Sequence, residues 1–240
     1  MLQKTVTSCT LDSTFNNLVY LPLKECYKRG AEFIYFDEDL QILVSDKEST
    51  VYINTKDLDT CITKGVDINY ANYEFVNVYD KNIGQYIKTK YQFDVELEEL
   101  YVFEYIKDTK VQVLDTDFRV LDLTYIDIIE EHYDCVSHDE ILNDLKLGHI
   151  FGLFKEEKLV GFIGIHPDYT MGMLRIFKEY QRRGYAYELE GNLINYLIDN
   201  GLKAFCHVHT HNEASINLQL KLGMVKADTK QYWLYKYEKN

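Results

Sequence analysis

The sequence predicts an α/β (α+β) protein: a mixed, mostly antiparallel sheet flanked by helices, built as two lobes. Three observations carry that expectation. Short apolar-alternating runs rich in Tyr, Phe, Val and Ile recur along the chain, separated by Gly, Asp and Asn. Between them lie segments with helical spacing, the longest marked by Ala186, Leu189, Leu193 and Leu197 in steps of three and four. The order strand, helix, strand over 73–106 also returns over 203–237, at an offset of about 131 residues.

Taken in order, Ser13–Lys28 reads as one helix stopped by Gly30. Glu32–Phe36, Gln41–Ser45 and Thr50–Asn54 read as three strands of a meander. Lys56–Lys64 has the length of a short helix, with Gly65 as its stop. Tyr73–Tyr79 is a strand, Lys81–Tyr91 a helix and Glu99–Ile106 a strand. A second lobe begins near residue 112, so the expected domains are 1–111 and 112–240. It opens with strand Phe118–Leu123 and helices Tyr125–Tyr133 and Asp139–Leu147. Ile150–Lys155 and Leu159–His166 form a hairpin around Glu156-Glu157, followed by strand Met171–Phe177. A glycine-containing turn, 181–186, feeds a long helix that ends at Gly201. Strand Lys203–Thr210, helix Glu213–Leu222 closed by Gly223, and strand Tyr232–Tyr237 complete the chain.

The 240 residues carry 26 Lys and Arg against 39 Asp and Glu, a net charge of −13. Nucleic acid is excluded as a partner on this ground, because phosphate binding needs a basic surface. The acidity suits solubility, or attraction of a cationic amine. Cys9, Cys26, Cys61, Cys135 and Cys206 are odd in number and form no CxxC pair, as expected of reduced thiols in a cytoplasmic protein. The first residues hold no apolar signal-peptide core, and no run of about 18 apolar residues suggests a membrane span.

Chemistry concentrates in Gln181-Arg182-Arg183-Gly184-Tyr185-Ala186. A strand runs into this turn and the turn opens a helix. Helix starts carry free N–H groups and partial positive charge, so the turn can cradle a pyrophosphate. Gly184 and Ala186 are small enough for phosphates to approach the main chain, and Arg182 and Arg183 add charge.

This hexapeptide resembles the Q/R-x-x-G-x-G/A acyl-coenzyme A motif of the GNAT superfamily of N-acetyltransferases. The segment from Val208 through Asn212 and Ser215 to Leu222-Gly223-Met224 resembles the second half of that fold. There an apolar strand meets Asn, then Ala or Ser, then a helix ending in Lys-Leu-Gly-Phe. The string Leu218-Gln219-x-Lys221-Leu222-Gly223 leans toward the glycine N-acyltransferase-like branch. The resemblance covers about half the chain; the repeated strand-helix-strand order makes the first lobe either a related, degenerate GNAT-like copy or a coincidental match. That lobe has Thr55–Thr60, without glycine, where the phosphate turn would lie, so it is expected to bind no coenzyme A.

The resemblance implies acetyl-CoA or a longer acyl-CoA as co-substrate, no metal, and a small-molecule amine or amino acid as acceptor. A homodimer is compatible with it. Pantetheine would slot between strands 171–177 and 203–210, pairing with the backbone of Leu174 and Ile176 beside Arg175. The N–H groups of 182–186 would hold the pyrophosphate. Asn212, Ser215 and Asn217 would reach the pantetheine arm, thioester or nucleotide, although Asn212 also suits a helix cap. Lys221 is either a partner of the 3′-phosphate or a surface lysine.

Two positions depart from the family. Its usual acid is a Tyr whose place here is taken by Gln219, which cannot act as an acid. Its strand 171–177 often supplies a Glu, but here reads Met-Gly-Met-Leu-Arg-Ile-Phe. His207, His209 and His211 alternate along one strand face and are candidates for the base, as is His166. They could equally cap a solvent- or lobe-facing side, and their i, i+2 spacing without a nearby Cys or carboxylate argues against a metal. His132, His138 and His149 read as surface residues. Arg175 either receives a carboxylate-bearing acceptor or pairs with an acid of the chain. The missing acid and strand Glu also suit a non-catalytic acyl-CoA-binding or regulatory protein.

Overall fold

The computed structural model describes residues 8–235, apart from 48, 65–67, 69 and 115–116. Two compact units emerge. One takes the described residues up to 102, with 208–211 and those from 226 onward; the other takes 103–207 and 212–225.

The first unit opens with helices α1 (Ser8–Thr14) and α2 (Leu21–Lys28) in place of the single helix expected. The break has a local cause. Asn17 accepts a hydrogen bond from Val19 N at 3.0 Å and starts a short 3-10 turn, and Pro22 has no N–H with which to extend a preceding helix. Strands β1 (Glu32–Phe36), β2 (Leu40–Ser45) and β3 (Thr50–Thr55) form an antiparallel meander. Helix α3 (Leu58–Lys64) then leads to β4 (Phe75–Val78), which lies parallel to β3. Gly65, the expected stop of α3, lies outside the described residues. Helix α4 (Lys81–Lys90), capped by Asp80, precedes β5 (Glu98–Glu104). Alternation along β2 and β3 gives the sheet two buried faces. Leu40, Ile42, Val51 and Ile53 pack with Ile83 and Ile87 of α4; Leu43 and Tyr52 pack with Leu23 and Cys26 of α2.

The second unit holds β6 (Asp117–Val120), α5 (Ile126–His132), α6 (His138–Leu147), β7 (Ile150–Lys155), β8 (Lys158–Ile165) and β9 (Met171–Ile176). A capping box between Ser137 and Glu140 starts α6. Strands β6-β7-β8-β9 form an antiparallel sheet. Its one face packs Ile150, Phe154, Phe162, Met173 and Phe177 against Ile129 of α5 and Ile141 and Leu145 of α6. Helix α7 (Tyr185–Asp199) buries Leu189, Leu193, Ile194 and Leu197 completely, each worth roughly 2 kcal/mol of burial.

The expected hairpin turn is present, and both its residues are left-handed, Glu156 at φ 49° and Glu157 at φ 60°. Such a two-residue turn favours Asn-Gly, because a left-handed residue with a Cβ costs about 1 kcal/mol. Glu156→Asn with Glu157→Gly is expected to raise the unfolding free energy by about 1 kcal/mol in urea titration.

Strand β10 (Phe205–His209), helix α8 (Glu213–Leu222) and strand β11 (Val225–Tyr235) follow. They complete a seven-stranded sheet in the order β1-β2-β3-β4-β11-β5-β10. The last strand starts at Val225 rather than Tyr232, while residues 236 and 237 lie outside the described region. Lys226–Gln231 is polar and has no strand pattern of its own; ladder pairing rather than propensity makes it a strand. The repeat expected from sequence is visible as β4-α4-β5 and β10-α8-β11. No helix among the described residues is long and apolar enough to cross a membrane.

Candidate functional site

Strand β9 is the last strand of its sheet and pairs only with β8 among the described residues. Arg175 faces Phe162 and Gly172 faces Gly164, so the intervening Met173 and Leu174 stand opposite Ile163 alone. This bulge is sharpened by Met173, at φ 54°. Just beyond the strand, Phe177 N donates to Val160 O at 3.0 Å. Strand alternation then turns the N–H groups of Leu174 and Ile176 toward the free edge. The carbonyl of Ile176 is already taken by Gln181 Nε2, at 3.0 Å. Gln181 therefore uses its side chain to hold the turn closed.

The turn itself passes through Arg182 at φ 60° and Gly184 at φ 88°. At Gly184 an added Cβ would meet no protein atom within 4 Å, so the backbone angle, not crowding by the chain, demands glycine. No side chain among the described residues caps α7. Tyr187 and Glu188 bond back to Gly184 O at 3.0 and 3.2 Å. The N–H groups of Arg182, Arg183, Gly184, Tyr185 and Ala186 have no acceptor among the described residues. Such a start, fifteen residues of aligned dipole behind it, is an anion cradle.

Cations surround it. The Arg183 guanidinium lies 5.9 Å from the Tyr180 ring, Lys155 Nζ 5.9 Å from the Tyr185 ring and Lys221 Nζ 5.1 Å from the Tyr187 ring. Arg182 is exposed beside them. None of these four forms an ion pair among the described residues, although acids outnumber bases by 39 to 26. Lys155 was not legible as part of the site, because it sits about 30 residues away on the β7–β8 hairpin.

Helix α8 begins with Asn212, whose Oδ1 accepts from Ser215 N at 3.1 Å. Ser215 is half-buried, and Asn217 and Lys221 are exposed. Gln219 is only 3% exposed and donates from Nε2 to Glu190 Oε1 at 2.9 Å. Glu190, on α7, is equally buried; burial pushes its carboxyl up to about 7, against the lowering effect of the Gln219 hydrogen bond. Glu190 Oε2 and Gln219 Oε1 have no partner among the described residues. The buried Cys206 thiol of β10 is pushed well up by the same burial, with Glu190 adding to it. Glu190 escaped the sequence reading, but it left a signal. It falls three and four residues before Leu193 and Ile194, a carboxyl inside an apolar stripe.

Residues 114–224 match the Acetyltransferase (GNAT) family. The chain is similar in fold to a Drosophila protein, 12% identical over 82% of this chain and 73% of that one, with a TM-score of 0.60. It is likewise similar to a GNAT-family protein from Novosphingobium aromaticivorans (13%, 92% and 96%, TM-score 0.54). A GCN5-related N-acetyltransferase-like protein from Streptococcus suis gives 15% identity over 94% and 98%, with a TM-score of 0.55. No curated protein sequence matches. Likeness at these identities is one of fold. The fold is thus the GNAT fold, and the likeness extends over the N-terminal lobe.

The two halves differ where the GNAT cradle would form. In the second, β9 and β10 belong to different sheets and do not pair. In the first, β3 and β4 pair in parallel from Thr50–Phe75 to Ile53–Val78. The start of α3 is also occupied: Asp57 accepts from Thr60 N at 2.8 Å. A carboxylate there satisfies the free N–H and repels phosphate.

The histidines separate. His209 Nδ1 lies 3.3 Å from Glu98 Oε2 of β5, an ion pair when the imidazole is protonated but too bent for a hydrogen bond. The His211 ring lies 5.3 Å from the His209 ring, tilted by 38°. His207 is half-buried on the same strand. His166 packs at Gly172, where a Cβ would collide with its ring; this is the start of β9, and the 181–186 turn follows the other end. His132 and His149 are half-buried rather than surface residues, His132 against the Phe177 ring at 4.3 Å and His149 beside Asp144; His138 is exposed and paired with Glu130. Among the described residues no three His, Cys, Asp or Glu side chains are grouped to hold a metal. Arg175 is half-buried, with its guanidinium 5.9 Å from the Tyr133 ring and its Nε buried without a partner among the described residues.

Proposed function

We propose that this protein transfers an acyl group, acetyl in the simplest case, from coenzyme A to the amine of a small molecule or amino acid. The uncapped start of α7, ringed by cations without an acid partner among the described residues, carries this reading. In it, the N–H groups of 182–186 hold the pyrophosphate, with Arg182, Arg183 and Lys155 around it and Lys221 on the 3′-phosphate. The edge N–H groups of Leu174 and Ile176 pair with the pantetheine amides, and the bulge at Met173 frees a donor for the thioester oxygen. Asn212, Ser215 and Asn217 border the arm.

The acceptor nitrogen attacks the thioester carbonyl, its proton passes to a base, the C–S bond breaks and the thiolate leaves. A coenzyme A thiolate is a fair leaving group and takes its proton from water. Gln219 supplies no acid, since its amide is committed to Glu190. The candidates for the base are His207, His209 and His166; of these, His209 has a carboxylate, Glu98 Oε2, 3.3 Å from its Nδ1.

The test is thiol release from acetyl-CoA across amino acids, polyamines and aminoglycosides. His209→Ala is expected to lower kcat by about 10²- to 10⁴-fold while leaving acetyl-CoA binding unchanged. Binding without any acylated product would favour an acyl-CoA sensor, and absence of binding would end both readings.

A further inference from the structure

Arg175 was readable in two ways, as an arginine paired with an acid or as a receptor for an acceptor carboxylate. Among the described residues it has no acid. Its guanidinium instead lies over a ring, the Tyr133 face at 5.9 Å, and its Nε is buried with no hydrogen-bond partner among those residues. In a chain with 39 acids and 26 bases, a half-buried guanidinium left unpaired is conspicuous. A buried donor without an acceptor is unfavourable, and more so on a charged group, so the position is costly unless an anion completes it.

Its place in the strand says where that anion lies. Arg175 sits between Leu174 and Ile176, whose N–H groups line the free edge of β9. Its side chain instead lies on the face covered by α5, beside Tyr133 and within electrostatic reach of Cys135. The Cys135 thiol is pushed up by burial and by Asp134, and the Arg175 charge partly offsets this. The side chain therefore lies on the α5 side of β9, ahead of the turn that follows Phe177.

We propose that Arg175 anchors the carboxylate of the amine acceptor, so that the acceptor is an amino acid or a similar amino carboxylate. This rests on the acyl-transfer reading of the same site. A planar guanidinium binds a carboxylate through two parallel N–H···O bonds, which fixes the amine of a short amino acid relative to the carboxylate and hence to the neighbouring strand edge.

The experiment compares amino acids with the same amino acids as amides, in thiol-release assays with acetyl-CoA, for the wild type, Arg175→Met and Arg175→Lys. The wild type is expected to prefer the free carboxylates by about 100-fold or more in kcat/KM. Arg175→Met should raise their KM by a similar factor, Arg175→Lys should recover part of it, and the acetyl-CoA thermal shift should stay the same in all three. Equal use of acids and amides, an unchanged acceptor KM in Arg175→Met, or loss of acetyl-CoA binding in that variant would each overturn the proposal. The last outcome would assign Arg175 to the cofactor. Calorimetry of the same amino acids on protein saturated with free coenzyme A reads the anchor without turnover. Carboxylate binding that Arg175→Met abolishes would uphold the anion site even if no acyl transfer occurred, and no amino acid binding or reaction would sink it.

Discussion

Gly184→Val is expected to erase the stabilisation that acetyl-CoA confers. With ligand at about 100 times its dissociation constant, binding to the folded state adds about 2.7 kcal/mol. For a chain of this length that is a rise of roughly 5–10 °C in Tm. Gly184 stands at φ 88°, where a β-branched residue is strained, and it opens α7, whose first N–H groups no side chain among the described residues caps. Valine adds its isopropyl group to the cradle and tilts the very amides that would meet the phosphates. The variant's own Tm should fall by a few degrees from backbone strain, so the informative quantity is its shift with acetyl-CoA. Gly184→Ala carries most of the strain with less bulk and should keep part of the shift. A full shift in Gly184→Val would mean that the 181–186 turn is not where the cofactor binds.

Replacing Glu190 by glutamine should flatten the dependence of stability on pH. The Glu190 carboxyl titrates near 4.5 when exposed and near 7 in the fold. The folded state therefore holds more protons than the unfolded state between these values, and stability falls as pH rises through that window. Below the unfolded pKa the neutral acid sits in place without penalty; above about 7 a charge is forced into a buried site. The shift corresponds to about 3 kcal/mol. The glutamine of Glu190→Gln would avoid it, and its amide could donate to the partnerless Gln219 Oε1 while accepting from Gln219 Nε2. Urea unfolding should show the two proteins nearly equal at about pH 4 and the variant more stable by about 3 kcal/mol at about pH 8. Asp144, pushed up to about 6 mainly by burial, slopes the same way in both proteins, so the difference between them isolates Glu190. Parallel pH profiles would show that Glu190 is charged and compensated in the fold.

Much of the architecture is legible residue by residue because its causes are local. Apolar alternation marks β2, β3, β7 and β8, helical spacing marks α7, and Gly148, Gly201 and Gly223 stand where helices stop. The 181–186 turn is legible for the same reason: Gly184 and the two arginines act through the few residues on either side. Local chemistry also explains why the first helix is two. Asn17 and Pro22 are a cap and a breaker inside a pattern that otherwise reads as one helix.

By itself, then, the sequence determined the α/β class, nearly every element, the strand–turn–helix over 171–199, and the absence of a tyrosine at position 219. Only the tertiary structure decided how distant residues pair. It made a strand of polar Lys226–Gln231, bound Gln219 to Glu190, set Glu98 beside His209, brought Lys155 to the start of α7, and left Arg175 without an acid among the described residues. The physical reason is range. Helix capping and alternation are fixed by neighbours within a few residues, whereas burial and ion pairing depend on which surfaces the whole chain brings together.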